Sequence, residues 1–157
     1  MDNKRVATVT TPSDREIVIT RDFAAPRTLV FEAWTRPEHV AQWWDPNGAP
    51  LAICEIDLRP HGAFRFVHQG AEGTAHPFTG TYREIAAPGR LVFSTRVAPG
   101  AETVGTLVFT EHEGRTRLTM TMECPSKEHR DALLKMRVDV GTTHTLDNLD
   151  QYLGTID

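Results

Sequence analysis

The sequence predicts an α+β fold: one curved antiparallel sheet of seven strands wraps a long C-terminal helix and leaves a cavity between the two. Three observations predict it. Strand-like segments between Glu16 and Glu123 follow one another through short turns containing Gly or Pro, which makes neighbouring strands antiparallel. From Ser126 to Leu153 the apolar residues recur at helical spacing, with Leu134, Val138, Leu146, Leu149 and Leu153 in one stripe and Leu133, Met136 and Val140 widening it. The remaining helical signal is confined to two short helices after the first strand, so strands and helices do not alternate as they would in an α/β fold. A helix with one broad apolar face must bury it, and the natural twist of a seven-stranded sheet favours wrapping around it.

The elements follow in order. Residues 1–15 are polar and read as a loose lead-in. Glu16 to Phe23 alternates with Ile17, Ile19 and Arg21 on one side, giving a first strand. Pro26 suits the first turn of a helix whose inner face carries Val30 and Trp34. The residue before Pro37 avoids helical backbone, which ends that helix, and Pro37 opens a second one to Trp43 or Trp44. Asp45-Pro46-Asn47-Gly48 is a turn. Further strands are expected at 51–58, 63–69, 77–86, 90–97, 103–111 and 115–123. Arg59-Pro60-His61-Gly62, Gly70-Ala71-Glu72-Gly73, Ala87-Pro88-Gly89, Pro99-Gly100 and Glu113-Gly114 separate them. Alternation groups Phe64, Phe66 and His68 on one face, Leu91 with Phe93, and Leu118 with Met120 and Met122. Pro125 ends the last strand and Ser126 caps the terminal helix.

Length and composition fit one domain over residues 1–157. A net charge of -4 argues against nucleic acid as a partner. No apolar run is long enough to span a membrane, and no secretory leader pattern opens the chain, so a cytoplasmic protein is expected. Cys54 and Cys124 do not make a disulfide framework. The spacing of His61, His68 and His76 matches no recognised metal-ligand pattern, and neither a phosphate loop nor a dinucleotide fingerprint is present. No metal and no cofactor is expected.

A resemblance accompanies this reading. Ala25-Pro26-Arg27, Val30-Phe31, Ala33-Trp34-Thr35, Pro37-Glu38 and Trp43-Trp44 with Pro46 and Gly48 are followed by Glu55, Asp57-Leu58-Arg59-Pro60 and Gly62. Phe78-Thr79-Gly80-Thr81-Tyr82-Arg83-Glu84, Leu91-Val92-Phe93 and Gly141 with Leu146, Leu149 and Leu153 complete the set. Together they resemble the START-like (SRPBCC) superfamily, and within it the homologues of the activator of the heat-shock-protein-90 ATPase. The resemblance implies a helix-grip fold with a hollow core, and it implies no particular ligand. Two positions depart from the pattern. His61 stands where a Gly is usual, and Thr142 stands where the terminal helix often has a Trp, which points to a wider or more polar cavity.

The residues expected to line that cavity are Trp44, Phe66, His68, Tyr82, Phe93, Met120, Met122, Met136, Val140 and His144. Aromatic and Met side chains suit an adaptable apolar wall. Gly141 to Thr145 is weak helix-forming sequence, read either as a break or as space and hydrogen bonds for a ligand. One of Trp43 and Trp44 is expected to plug the seam between short helices and sheet and the other to be partly exposed; the alternative is that one ring forms a wall or lid at the cavity mouth. Asp57 and Arg59, two apart on a strand, read as a surface ion pair.

Three functions follow in order of support. The first is binding of a small hydrophobic or amphipathic molecule between sheet and helix. The second is a stress-response or co-chaperone-like module acting on a chaperone. It ranks lower because only about 15 residues precede the first strand, too few for the additional N-terminal domain of the full activators. The third is a cyclase- or hydrolase-type enzyme on the same fold. For it the sequence offers titratable groups (His68, Tyr82, Glu84, His144) but no catalytic constellation, so no catalytic residue is assigned. Monomer and homodimer both fit.

Overall fold

The computed structural model describes residues 7–45, 49–69, 78–98 and 101–156. The expected turns at Pro46-Asn47-Gly48, Gly70 to Gly73 and Pro99-Gly100, and His76, lie outside the described residues.

The architecture is α+β, as the pattern predicts. The strands are β1 (Thr8–Thr10), β2 (Glu16–Phe23), β3 (Ile53–Ile56), β4 (Ala63–Val67), β5 (Phe78–Ala86), β6 (Arg90–Ala98), β7 (Ala101–His112) and β8 (Arg115–Glu123). They form one sheet in the order β1-β2-β8-β7-β6-β5-β4-β3, and every pair is antiparallel. Two short helices, α1 (Arg27–Thr35) and α2 (Pro37–Trp43), link β2 near one edge to β3 at the other. This is the helix-grip arrangement.

The sheet has eight strands rather than seven. Thr8 to Thr10, inside the stretch expected to be loose, pairs with Val18 to Thr20 and covers the edge of β2. A strand of three residues is too short for alternation to reveal. β3 is shorter than 51–58 because Leu51 leaves the ladder. Its N–H donates to the Ala41 carbonyl of α2 at 2.9 Å, and its side chain is buried. Asp57 and Arg59 therefore lie past the strand end, where Arg59 Nε donates to Asp57 Oδ2 at 2.9 Å in the open.

The C-terminal rod is two helices, not one. α3 (Lys127–Lys135) is capped by the Ser126 hydroxyl, which accepts from the His129 N–H at 3.0 Å. α4 (Val138–Ile156) follows after Met136 and Arg137, and Arg137 sits at φ 62°. The break falls before Gly141, not at Gly141 to Thr145. On a straight helix Leu133 would lie about 160° around the axis from Leu149, yet both are fully buried. Two apolar stripes on opposite sides cannot face one sheet, and the left-handed residue resets the phase between them.

α4 buries Thr145, Leu146, Leu149 and Leu153. Each fully buried Leu contributes about 1.5–3 kcal/mol. From the inner face of β2, Arg21 (3% exposed) reaches Asp147 and Asp150 of α4 at 2.5 and 3.4 Å. Thr145 Oγ1 donates to the Trp44 carbonyl at 3.2 Å, and Asn148 Nδ2 donates to the Asp45 carbonyl at 2.8 Å. His39 of α2 and Tyr152 of α4 share a further hydrogen bond. These contacts fix α4 against both the sheet and the end of α2. No helix among the described residues is long and apolar enough to cross a membrane.

Candidate ligand cavity

A cavity of about 270 Å³ opens between the sheet and the N-terminal half of α4. Its sheet wall includes Phe93, Gly105, Met120 and Met122, and its helix wall is Val138, Gly141, Thr142, Thr145 and Leu146. Trp34, Trp44, His68 and Phe78 close one end. The void follows from side-chain size. The C-terminal half of α4 meets the sheet with three leucines, whereas the N-terminal half presents Gly and Thr. A Cβ placed on Gly141 would have no atom within 4 Å. Opposite it, Gly105 lies under the Phe93 ring, where any Cβ would come within 2.6 Å of the ring. Glycine there lets Phe93 lie down along the sheet.

Of the residues expected in the wall, Trp44, His68, Phe93, Met120 and Met122 line this cavity. Phe66 and Tyr82 lie deeper in the core, with Phe66 edge-on to Trp44 at 4.9 Å and Tyr82 tilted against Phe64 at 5.2 Å. Val140 is half-buried outside the lining. Met136 and His144 are corrections. Met136 is 58% exposed because it falls at the α3–α4 break, and His144 is exposed because it lies on the outer side of α4. Trp34, Phe78 and Gly105 also line the cavity without having been expected there, and Thr142 and Thr145 line it from the segment that the sequence left open between a helix break and a ligand-facing stretch. Thr142 carried a signal in its departure from the family pattern, and the others show in which faces point inward.

The tryptophans divide their work. Trp43 is fully buried, and its indole N–H donates to the Ala33 carbonyl at 3.0 Å. Trp44 is half-buried and forms the cavity wall against Phe66 and Phe78.

Most polar groups around the cavity are committed. Thr95 Oγ1 donates to the Thr79 carbonyl at 2.6 Å, and Thr145 Oγ1 shares its one proton between the Gly141 carbonyl at 3.0 Å and the Trp44 carbonyl at 3.2 Å. Thr103 Oγ1 meets Nε2 of the buried His129 at 3.1 Å. His68 Nδ1 lies 3.2 Å from Asp45 Oδ2. Among the described residues the lining contains no Lys, Arg, Asp or Glu. Burial pushes the Tyr82 phenol well above its ordinary 10.0, so it keeps its proton, and it lies outside the cavity lining. Glu84 is exposed and paired with Arg90 at 3.3 Å, outside the cavity. Among the described residues no three His, Cys, Asp or Glu side chains are grouped to hold a metal. A wider, solvent-facing concavity of about 520 Å³ lies over Glu55, Arg65, Thr81 and Glu102 on the other side of the sheet. Its charged rim and openness make it ordinary polar surface.

A sheet gripping a C-terminal helix over a largely apolar hollow defines a START-like domain. Residues 24–154 match the model of the AHSA1 family, described as activator of Hsp90 ATPase homolog 1-like protein, and the chain belongs to that family. Solved structures agree. A protein from Rhodobacter sphaeroides is 27% identical with a TM-score of 0.86, the match covering 96% of this chain and 99% of that one. Proteins from Nitrosomonas europaea and Mycobacterium smegmatis share the fold, each 24% identical with a TM-score of 0.81. They cover 92% of this chain and 97% and 95% of their own. No curated protein matches the sequence.

Proposed function

We propose that this protein binds a small hydrophobic or amphipathic molecule in the cavity between the sheet and α4, and that it does so in the cytoplasm. The observation that carries the reading is the 270 Å³ void walled by aromatic and Met side chains, where α4 presents Gly141, Thr142 and Thr145 between Val138 and Leu146. A dry apolar cavity of about 150 Å³ holds benzene, so this one suits about two fused rings or a short acyl chain. Buried apolar area would supply most of the affinity, and few polar groups would set orientation. The test uses naphthalene, a short fatty acid and a sterol, followed by Trp emission and by melting temperature. Trp34 and Trp44 line the cavity, so occupancy should change their emission. A blue shift and a higher melting temperature with the two-ring probe are expected. No response to any of the three would remove the proposal.

The family match favours a second reading, a co-chaperone-like or stress-response module. Chaperone ATPase measured with and without the protein decides it, and clear stimulation would move this reading ahead of the first.

A further inference from the structure

The cavity is apolar except for a few groups, and those groups are unequal. Thr95, Thr103 and Thr145 spend their hydroxyls on protein partners. Thr142, the second nitrogen of His68 and the buried indole N–H of Trp34 have no partner among the described residues, and all three side chains line the cavity. His68 is held by a buried carboxylate: Asp45 is 7% exposed, and its Oδ2 lies 3.2 Å from His68 Nδ1. Asp45 is in turn fixed through its carbonyl by Asn148 of α4. In the neutral imidazole a carboxylate oxygen facing Nδ1 favours the proton on that nitrogen, which leaves Nε2 with a lone pair to offer.

We propose that the Asp45-backed His68 is a hydroxyl-recognising head of this cavity, and that it selects a ring-sized apolar ligand carrying a phenolic or enolic O–H. The inference rests on the binding reading above and adds the ligand's chemical class. The ligand O–H donates to His68 Nε2, and its rings lie between Trp44, Phe93 and the two methionines. The Thr142 hydroxyl serves the same polar edge. An anionic head group is disfavoured, because the lining offers it no fixed cation, and a carboxylate buried without one is costly. His68 is 39% exposed, so an apolar ligand merely forgoes a hydrogen bond to Nε2, and a hydroxyl gains one. Asp45 is a positioning residue, since it reaches the ligand only through His68.

The test compares naphthalene, 2-naphthol, 2-methoxynaphthalene and 2-naphthoate by calorimetry on the full chain. The wild type is expected to bind 2-naphthol at least about fivefold more tightly than the methyl ether, the value of one ordinary hydrogen bond. 2-Naphthoate is expected to bind more weakly than 2-naphthol. His68→Phe is expected to erase the naphthol preference and keep naphthalene binding, which also shows that the variant is folded. Imidazole nitrogen NMR reads the positioning role. The His68 proton should reside on Nδ1 in the wild type and shift toward Nε2 in Asp45→Asn. Equal binding of alcohol and ether, a preference that survives His68→Phe, tighter binding of 2-naphthoate, or a wild-type proton on Nε2 would each overturn the proposal. If naphthalene itself fails to bind, the cavity reading falls and this one with it; if naphthalene binds without a naphthol preference, only this one falls.

Discussion

The thiol of Cys54 is half-buried, and that burial, reinforced by the charges of Glu38 and Glu55, pushes its pKa from 9.0 to about 11. Thiolate is the reactive form, so its population at neutral pH drops by about a hundredfold. Iodoacetamide followed by intact mass should therefore label Cys54 about a hundredfold more slowly in the folded protein than in urea. Equal rates would mean that the site is open. On the outer surface, the Arg117 guanidinium donates to both carboxylate oxygens of Asp22 at 2.8 and 3.0 Å and holds the Asp22 carboxyl below its ordinary 3.8. A depressed folded-state pKa gives stability that is fully present above 3.8 and is lost as pH falls through the lower folded value. Thermal melts should show Asp22→Asn less stable than wild type at neutral pH, with the gap closing in acid well below 3.8. A gap independent of pH would refute the linkage. At this scale the sequence spoke unevenly. Alternation placed Phe93, Met120 and Met122 inward, because strand geometry leaves only two choices. It was silent on the partner of His68, since Asp45 lies on a different segment and only the fold brings them together.

Among the elements, the C-terminal pair shows where periodicity stops being informative. The stripe through Leu146, Leu149 and Leu153 was legible, and these residues are buried. The break was not, because it uses Arg137 at φ 62° and neither Gly nor Pro marks it. Left-handed backbone costs a non-Gly residue about 1–2 kcal/mol. Arg137→Gly should therefore raise stability by about 0.5–1 kcal/mol in urea unfolding, part of the relief being offset by the entropy of Gly in the unfolded chain. A loss of stability would show that the Arg side chain contributes more than the strain. The clamp between β2 and α4 makes an asymmetric prediction. Arg21 is 3% exposed, while Asp147 is 57% exposed and Asp150 21%. Removing both carboxylates strands a buried cation whose Nε already lacks a partner among the described residues, at a cost of about 3–5 kcal/mol. Arg21→Met leaves two carboxylates that reach water and replaces the cation by apolar bulk, so it should cost less than about 2 kcal/mol. Denaturant midpoints of the two variants decide the order, and the reverse order would place the clamp's value in the Arg contacts themselves.

Over the whole molecule, stability and the hollow oppose each other, and α4 is where they meet. The fold class and the antiparallel pairing of consecutive strands were readable because short turns and a single late amphipathic stretch admit few topologies; the pairing of β2 with β8 was not. The hollow was readable only as a suspicion around Gly141 and Thr142, since a void depends on what both walls fail to fill. Gly141 tests the opposition directly. It stands inside a helix, where Gly is about 1 kcal/mol worse than Ala, and its missing side chain faces open space. Gly141→Ala should stabilise by about 1 kcal/mol, or about 2–4 °C in melting temperature. Gly141→Leu should go further, because it adds apolar contacts where none exist, and it should occupy much of the 270 Å³. Naphthalene at a hundredfold excess over its Kd should raise the wild-type melting temperature by about 5–10 °C, the equivalent of about 2.7 kcal/mol. In Gly141→Leu that increment should vanish although the unliganded protein melts higher. A Leu variant that still responds to naphthalene would place the binding site elsewhere. One that melts lower would mean that the space beside Gly141 is needed by the fold itself. The expected pair of results, a firmer protein that no longer binds, would identify the weak first half of α4 as stability given up for a site.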